Sequence, residues 1–262
     1  MQLTRDDVTL HYTVLGEGAP VVLLHAFPSC HEMWLPVAQS IAQRYRVILP
    51  DLRAHGQSTA GDGIATMQKH AADIAAICKQ EGIGRAIFGG ISIGGYILFE
   101  FWRAYHQQVA GLMLLNTRAG ADTPDARTAR LQSADQALER GPEQFLSSTI
   151  PKLLGETTQR NRKDIVAAAR HTMRFMTAEK IAAVQRGMAA RPDSTPTLAG
   201  IRVPTLVIGG EEDVSAPPEE SRQIHQGIVG SKLHIIPQTG HYSCLEQPAE
   251  VTRLVRHFLD ES

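Results

Sequence analysis

The residues best suited to do chemistry are Ser92, Asp213 and His241, each standing just beyond a short apolar run. Ser92 lies in Gly90-Ile91-Ser92-Ile93-Gly94-Gly95, after the run Ala86-Ile87-Phe88 and before a helical pattern over residues 96–105. A Gly-X-Ser-X-Gly between strand and helix makes a sharp turn that lifts the serine clear of the sheet. Glycines stand two residues to either side of the serine because a Cβ at either glycine position would meet neighbouring backbone. The helix N-terminus that follows favours developing negative charge. The bare pattern also arises in ordinary glycine-rich turns, so its strand–turn–helix setting carries the weight.

A serine hydroxyl is a weak nucleophile alone, so the chemistry requires a histidine and an orienting carboxylate farther along. Behind such a turn they follow in the order serine, acid, histidine. Gly209-Gly210-Glu211-Glu212-Asp213 follows the run 205–208, and Gly240-His241 follows the run 233–236. Catalytic groups in open α/β sheets gather beyond the carboxyl ends of strands. We therefore read Ser92 as nucleophile, His241 as general base and then acid, and Asp213 as the orienting carboxylate. Glu211 and Glu212 compete for the last role, since acids beyond a strand are often merely solvated. Asn116, at the end of the run 112–115, stands where such folds can also put the acid, but an amide cannot offset an imidazolium. Of the eleven histidines, His11, His70, His106, His171, His225 and His257 sit in helical or edge patterns and read as structural. His241 differs because a glycine precedes it in a loop directly after a strand.

The elements that must position these groups are legible as alternating strands and helices, the signature of an α/β layer protein. The runs 21–24, 47–49, 86–88, 112–115, 205–208 and 233–236 are continuously or largely apolar, as expected of parallel strands covered on both faces. Met67, Ala71, Ile74 and Cys78 share one helical stripe; Val251, Leu254, Val255, Phe258 and Leu259 share another. Residues 2–15 alternate like an antiparallel hairpin at the sheet edge. The alternation breaks over residues 120–196, where helical patterns at 126–138, 165–176 and 178–188 predict a helical cap. The division is thus a core of residues 1–119 and 197–262 with the cap at 120–196.

Composition bounds the rest. The chain has 262 residues, 43% hydrophobic and 20% charged, with a formal net charge of −1. That balance suits a globular protein and offers no basic field for nucleic acid. No apolar run approaches the roughly 18 residues of a membrane span. The opening Met-Gln-Leu-Thr-Arg-Asp-Asp turns acidic where a secretory signal needs an apolar core, so the expectation is a cytoplasmic protein. Three cysteines, Cys30, Cys78 and Cys244, build neither a disulfide framework nor a metal-ligand pattern.

Leu24-His25-Ala26-Phe27-Pro28, Asp51-Leu52-Arg53-Ala54-His55-Gly56-Gln57-Ser58, Gly90 to Gly95, Pro204 to Asp213 and Gly240-His241 together resemble the α/β-hydrolase superfamily. They occur in that family's order and span nearly all the chain outside the cap. The resemblance implies a mostly parallel α/β-hydrolase sheet flanked by helices, with a helical cap insertion. It also implies an oxyanion hole of two backbone N–H groups, carried over to Phe27 and Ile93. Ala26 and Ala54 stand where the family pattern has glycine. Asp51, Arg53, His55 and Ser58 are expected to brace a turn, and His25 a loop. No metal or organic cofactor is implied.

Within the superfamily the outline resembles small bacterial esterases and 3-oxoadipate enol-lactonases. The expected reaction is acyl transfer to water from a small to medium carboxylic ester or lactone, through an acyl-enzyme on Ser92. A serine at the turn argues against epoxide hydrolase or dehalogenase chemistry, which uses an aspartate there. Phe27, Trp34, Phe145, Met173 and Met176 are candidates to line a mostly apolar pocket under the cap. A lactone-specific hydrolase (enol-lactone or acyl-homoserine lactone), a perhydrolase, and a receptor that uses the pocket without turnover remain as alternatives. Oligomeric state is not legible.

Overall fold

The computed structural model describes residues 1–261. Its strands are β1 (Gln2–Arg5), β2 (Val8–Leu15), β3 (Ala19–Leu24), β4 (Tyr45–Pro50), β5 (Ala86–Ile91), β6 (Val109–Leu115), β7 (Thr205–Gly210) and β8 (Lys232–Ile236). They form one sheet in the order β1-β2-β4-β3-β5-β6-β7-β8. β1 and β2 make the antiparallel hairpin, with Leu3 opposite Leu10 and Arg5 opposite Val8, and β2 joins β4 antiparallel. From β4 to β8 all neighbours are parallel, so their carboxyl ends open on one edge.

The apolar runs divide by parity. Val22, Leu24, Ile48, Leu112, Leu114 and Val207 enter the core on one side of the sheet. Val21, Leu23, Val47, Leu49, Met113, Leu115, Leu206 and Ile208 enter the core on the other. Successive Cβ atoms of a strand point to opposite faces, so two covered faces require this unbroken hydrophobicity. The covering helices include α1 (Leu35–Ile41), α2 (Met67–Gln80) and α3 (Ile93–Tyr105). Thr66 caps α2, its side chain accepting from Lys69 N at 3.2 Å. The predicted stripe of α2 is buried.

Six helices run between β6 and β7: α4 (Pro124–Arg140), α5 (Pro142–Leu153), α6 (Glu156–Asn161), α7 (Lys163–Thr172), α8 (Ala178–Ala189) and α9 (Thr195–Leu198). The pattern over residues 165–176 ends early, at Thr172, where Met173 N turns back to Arg170 O and the chain breaks direction before α8. This helical layer is fastened to the sheet layer at several points. Ala65 N bonds to Ala183 O at 3.0 Å, and Tyr242 N to Leu153 O at 3.0 Å. Lys180 Nζ donates to Gly56 O at 2.8 Å. Arg174 grips Glu32 through two bonds of 2.8 and 2.5 Å. The chain closes with α10 (Pro218–Gly227), α11 (Ser243–Glu246) and α12 (Pro248–Glu261), and the predicted stripe of α12 faces the second core. Among the described residues no helix is long and apolar enough to cross a membrane.

Candidate active site

Four adjacent parallel strands deliver the candidate residues in a row: Ser92 after β5, Asn116 after β6, the Asp213 loop after β7 and the His241 loop after β8. β3, with Phe27 beyond it, flanks β5 on the other side. The β3/β5 pair is also where connections leave in opposite directions, the usual place for a ligand crevice. Backbone bonds continue the ladder past the strand ends. Ser92 N donates to Leu115 O at 3.0 Å, Asn116 N to Ile208 O at 2.8 Å, and Glu211 N to Ile236 O at 3.0 Å. These bonds hold the functional loops in the register of the sheet.

Ser92 has φ 57° and ψ −116°, a conformation that a non-glycine residue adopts only when its surroundings enforce it. The enforcement is visible at Gly90, where a Cβ would lie 2.5 Å from the Gly94 carbonyl carbon. Thr117 Oγ1 donates to Ser92 O at 2.8 Å. Ile93 is the first residue of α3, so its N–H has no partner within the helix.

The three acids beyond β7 have separate fates. Glu211 is exposed, and its Oε2 accepts from Gln238 N at 3.0 Å. Glu212 turns to the helical layer, where Thr157 N donates to Oε2 at 2.8 Å and Thr157 Oγ1 to Oε1 at 2.5 Å. Asp213 is buried, with its Oδ2 2.8 Å from His241 Nδ1. Its Oδ1 accepts from Ser215 N and Ala216 N, both at 2.8 Å. Asn116 Nδ2 donates to Asp213 Oδ2 at 3.0 Å and to Gly240 O at 3.1 Å, while Asn116 Oδ1 accepts from Ser243 Oγ at 2.6 Å. Burial alone would raise the Asp213 pKa; the facing His241 and these hydrogen bonds overcome that and hold it below the usual carboxylate value. Asn116 is thus a tether between acid loop and histidine loop, a role its position after β6 suggests but its residue type alone does not. Gly240 permits the close fit of the histidine loop, because a Cβ there would sit 2.1 Å from Gly155 N.

Ser92 and His241 face a common cavity of about 480 Å³, with Phe27 and Phe145 also on its wall. Three of the apolar residues expected there are elsewhere. Trp34 is wholly buried in the core beneath α1, and Met173 belongs to the same core. Met176 packs into the core on the opposite side. Nor is the wall mostly apolar. Its largest contribution from one element comes from α5, through Gln144, Phe145, Ser148, Thr149, Lys152 and Leu153, opposite Arg130, Ser133, Gln136 and Ala137 of α4. In α5 those residues recur at i, i+1, i+4, i+5, i+8 and i+9, which is one helix face. That periodicity was the available signal, masked because a polar helix face ordinarily meets solvent.

The Asp51 segment lies apart from the cavity and braces the neighbouring turn. Asp51 Oδ1 accepts from His31 N at 2.9 Å and lies 2.7 Å from His31 Nδ1; Oδ2 accepts from Gln57 N at 2.9 Å and lies 3.2 Å from His11 Nδ1. His11, His31 and Asp51 are the one set of metal-type ligand atoms that converges among the described residues, and those atoms are engaged with one another. Arg53 pairs with Asp73 through bonds of 2.9 and 3.0 Å. Ala54 takes φ 61°, the left-handed region that explains a glycine in the family pattern. Beneath the turn lie His25, His55 and His70, all fully buried; burial lowers their pKa values, to about 4 for His25 and about 3 for His70. Cys30 and Cys244 are buried, and burial pushes the Cys30 thiol up to about 12.

Comparison with known proteins agrees with this architecture. The AB hydrolase superfamily protein YisY of Bacillus subtilis is 29% identical over 268 residues, covering 97% of each chain. The 3-oxoadipate enol-lactonase 1 of Acinetobacter baylyi is 26% identical, covering 99% of this chain and 96% of its own. A thermophilic esterase from Thermogutta terrifontis, solved with malate bound, superposes with a TM-score of 0.94 at 38% identity, covering 97% of this chain and 94% of its own. The family model described as alpha/beta hydrolase fold matches residues 19–248, and the chain belongs to that family.

Proposed function

We propose that this α/β hydrolase is a serine hydrolase that cleaves a small to medium carboxylic ester or lactone through an acyl-enzyme on Ser92. The observation that carries the reading is the bond of 2.8 Å between His241 Nδ1 and buried Asp213, with His241 and Ser92 on the same cavity wall. Asp213 fixes the tautomer that leaves Nε2 free to take the Ser92 proton as Oγ attacks the carbonyl. The Phe27 and Ile93 amides and the N-terminus of α3 receive the oxyanion, at roughly 3–4 kcal/mol per donor. His241 returns the proton to the leaving alcohol, and water then releases the acid by the same route. Residues 120–196 act as a cap that supplies most of the substrate-facing wall. Esterases and enol-lactonases among the relatives support both substrate types, and lactone opening uses the same groups.

The test is turnover of p-nitrophenyl acetate and butyrate by the wild type and Ser92→Ala. We expect a loss on the order of 10⁴-fold or more. Equal rates would remove Ser92 as nucleophile. A panel of open-chain esters, enol-lactones and acyl-homoserine lactones then ranks the substrates.

A further inference from the structure

The charge on the cavity wall is of one sign. Arg130 and Lys152 are on it, and no aspartate or glutamate is, among the described residues. Arg130 does not stand as a free cation: its Nε donates to Asp122 Oδ2 at 2.6 Å. Asp122 is shared, however, with Arg191, whose Nη1 lies 2.7 Å from Oδ1. One carboxylate between two guanidiniums leaves a surplus positive charge. Arg191 extends that surplus toward the cavity, lying 4.2 Å over the ring of Tyr96, which is itself on the wall. Arg130 Nη1 also donates to Gln185 Oε1 at 3.1 Å, which engages the amide oxygen and leaves its NH₂ to donate.

Lys152 differs from Arg130 in having no carboxylate partner among the described residues. Its backbone is nonetheless fixed beside the reacting groups. Ser215 Oγ, two residues beyond Asp213, donates to Lys152 O at 2.8 Å, and Tyr242 N, next to His241, bonds to Leu153 O at 3.0 Å. An exposed ammonium without a carboxylate partner, carried on a backbone fixed at the rim of a polar cavity, is an anion-recognising arrangement.

We propose that the cavity selects esters or lactones that carry a second group, a carboxylate, remote from the scissile carbonyl, with Lys152 as its principal partner and the surplus charge around Asp122 reinforcing it. The proposal rests on the ester-hydrolase reading and names the substrate class for the same site. The probe pair is monomethyl glutarate and methyl glutaramate, which differ only in a carboxylate replaced by an uncharged amide. Acid release is followed by pH-stat at low and at raised ionic strength, with p-nitrophenyl butyrate as a separate check of ester turnover.

The wild type is expected to prefer the glutarate in kcat/KM by about fivefold or more at low salt, a preference that shrinks as salt is added. Lys152→Gln should lower that preference at least about threefold, and Lys152→Arg should retain it. If p-nitrophenyl butyrate is hydrolysed but the glutarate is not preferred, the anionic-substrate inference falls while the hydrolase reading stands. If the preference exists but neither Lys152→Gln nor salt changes it, Lys152 is not the partner. If no ester is turned over, the hydrolase reading falls and takes the inference with it.

Discussion

Replacing Asp213 with asparagine tests the site at its most constrained atom. Oδ1 accepts two backbone N–H groups, from Ser215 and Ala216 at 2.8 Å each, so an amide must keep its oxygen there. Its NH₂ then takes the place of Oδ2, which now faces His241 Nδ1 at 2.8 Å and Asn116 Nδ2 at 3.0 Å. Both of those are donors in the native arrangement. The imidazole can satisfy the new NH₂ only by presenting a bare Nδ1, which moves its proton to Nε2 and removes the base that the proposed mechanism supplies to Ser92. The lost charge also leaves the imidazolium of the transition state uncompensated. A loss of kcat on the order of 10⁴-fold follows, about 5 kcal/mol of barrier. Asn116 meanwhile loses a charged acceptor in a buried site, which costs about 1–3 kcal/mol of stability and lowers Tm by a few degrees. The assays are p-nitrophenyl butyrate turnover and thermal unfolding followed by circular dichroism, with Glu212→Gln beside it. Asp213→Asn retaining more than about a tenth of kcat would refute this reasoning. Loss of activity in Glu212→Gln instead would pass the role to the neighbour.

Two further outcomes follow from the same geometry. His25, His55 and His70 are held neutral by burial, so below pH 6.5 the unfolded chain binds protons that the folded chain refuses until about pH 4 for His25 and about pH 3 for His70. The stability present above pH 6.5 is therefore lost on acidification, at a limiting slope of about 4 kcal/mol per pH unit for three sites. Urea unfolding between pH 6.5 and 5 should show that fall, and His70→Leu should lessen the slope by about one proton; unchanged slopes would contradict the burial argument. Gly90→Ala places a methyl 2.5 Å from the Gly94 carbonyl carbon, where only backbone can yield. It should cost about 2 kcal/mol in stability and at least about tenfold in kcat, because Ser92 and α3 must move; normal kinetics would mean that the turn is not as tight as described.

The sheet was legible because strands covered on both faces need apolar residues at every position, and few other elements do. The strand starts were less so. β3, β4 and β6 begin earlier than their apolar runs, at Ala19, Tyr45 and Val109, because Pro20 and Gly111 are poor strand formers and Arg46 is charged, yet the neighbouring ladder carries all three. The order of Ser92, Asp213 and His241 was readable since each follows its own strand. The cavity wall was not. Trp34, Met173 and Met176 are apolar and buried, but residue type does not say which buried environment receives a side chain. Conversely the helical patterns read from the sequence do not include Ser148, Thr149 and Lys152, and only the packing of α5 over the strand ends turns that face to the site.

The most direct measurement is covalent labelling with diethyl 4-nitrophenyl phosphate, which phosphorylates an activated serine and releases nitrophenol. Intact-protein and peptide mass spectrometry should find one diethylphosphoryl group on the peptide containing Ser92, matched mole for mole by lost ester turnover, and none in Ser92→Ala. A label on another residue that abolishes turnover, or undiminished hydrolysis by Ser92→Ala, would contradict an acyl-enzyme on Ser92.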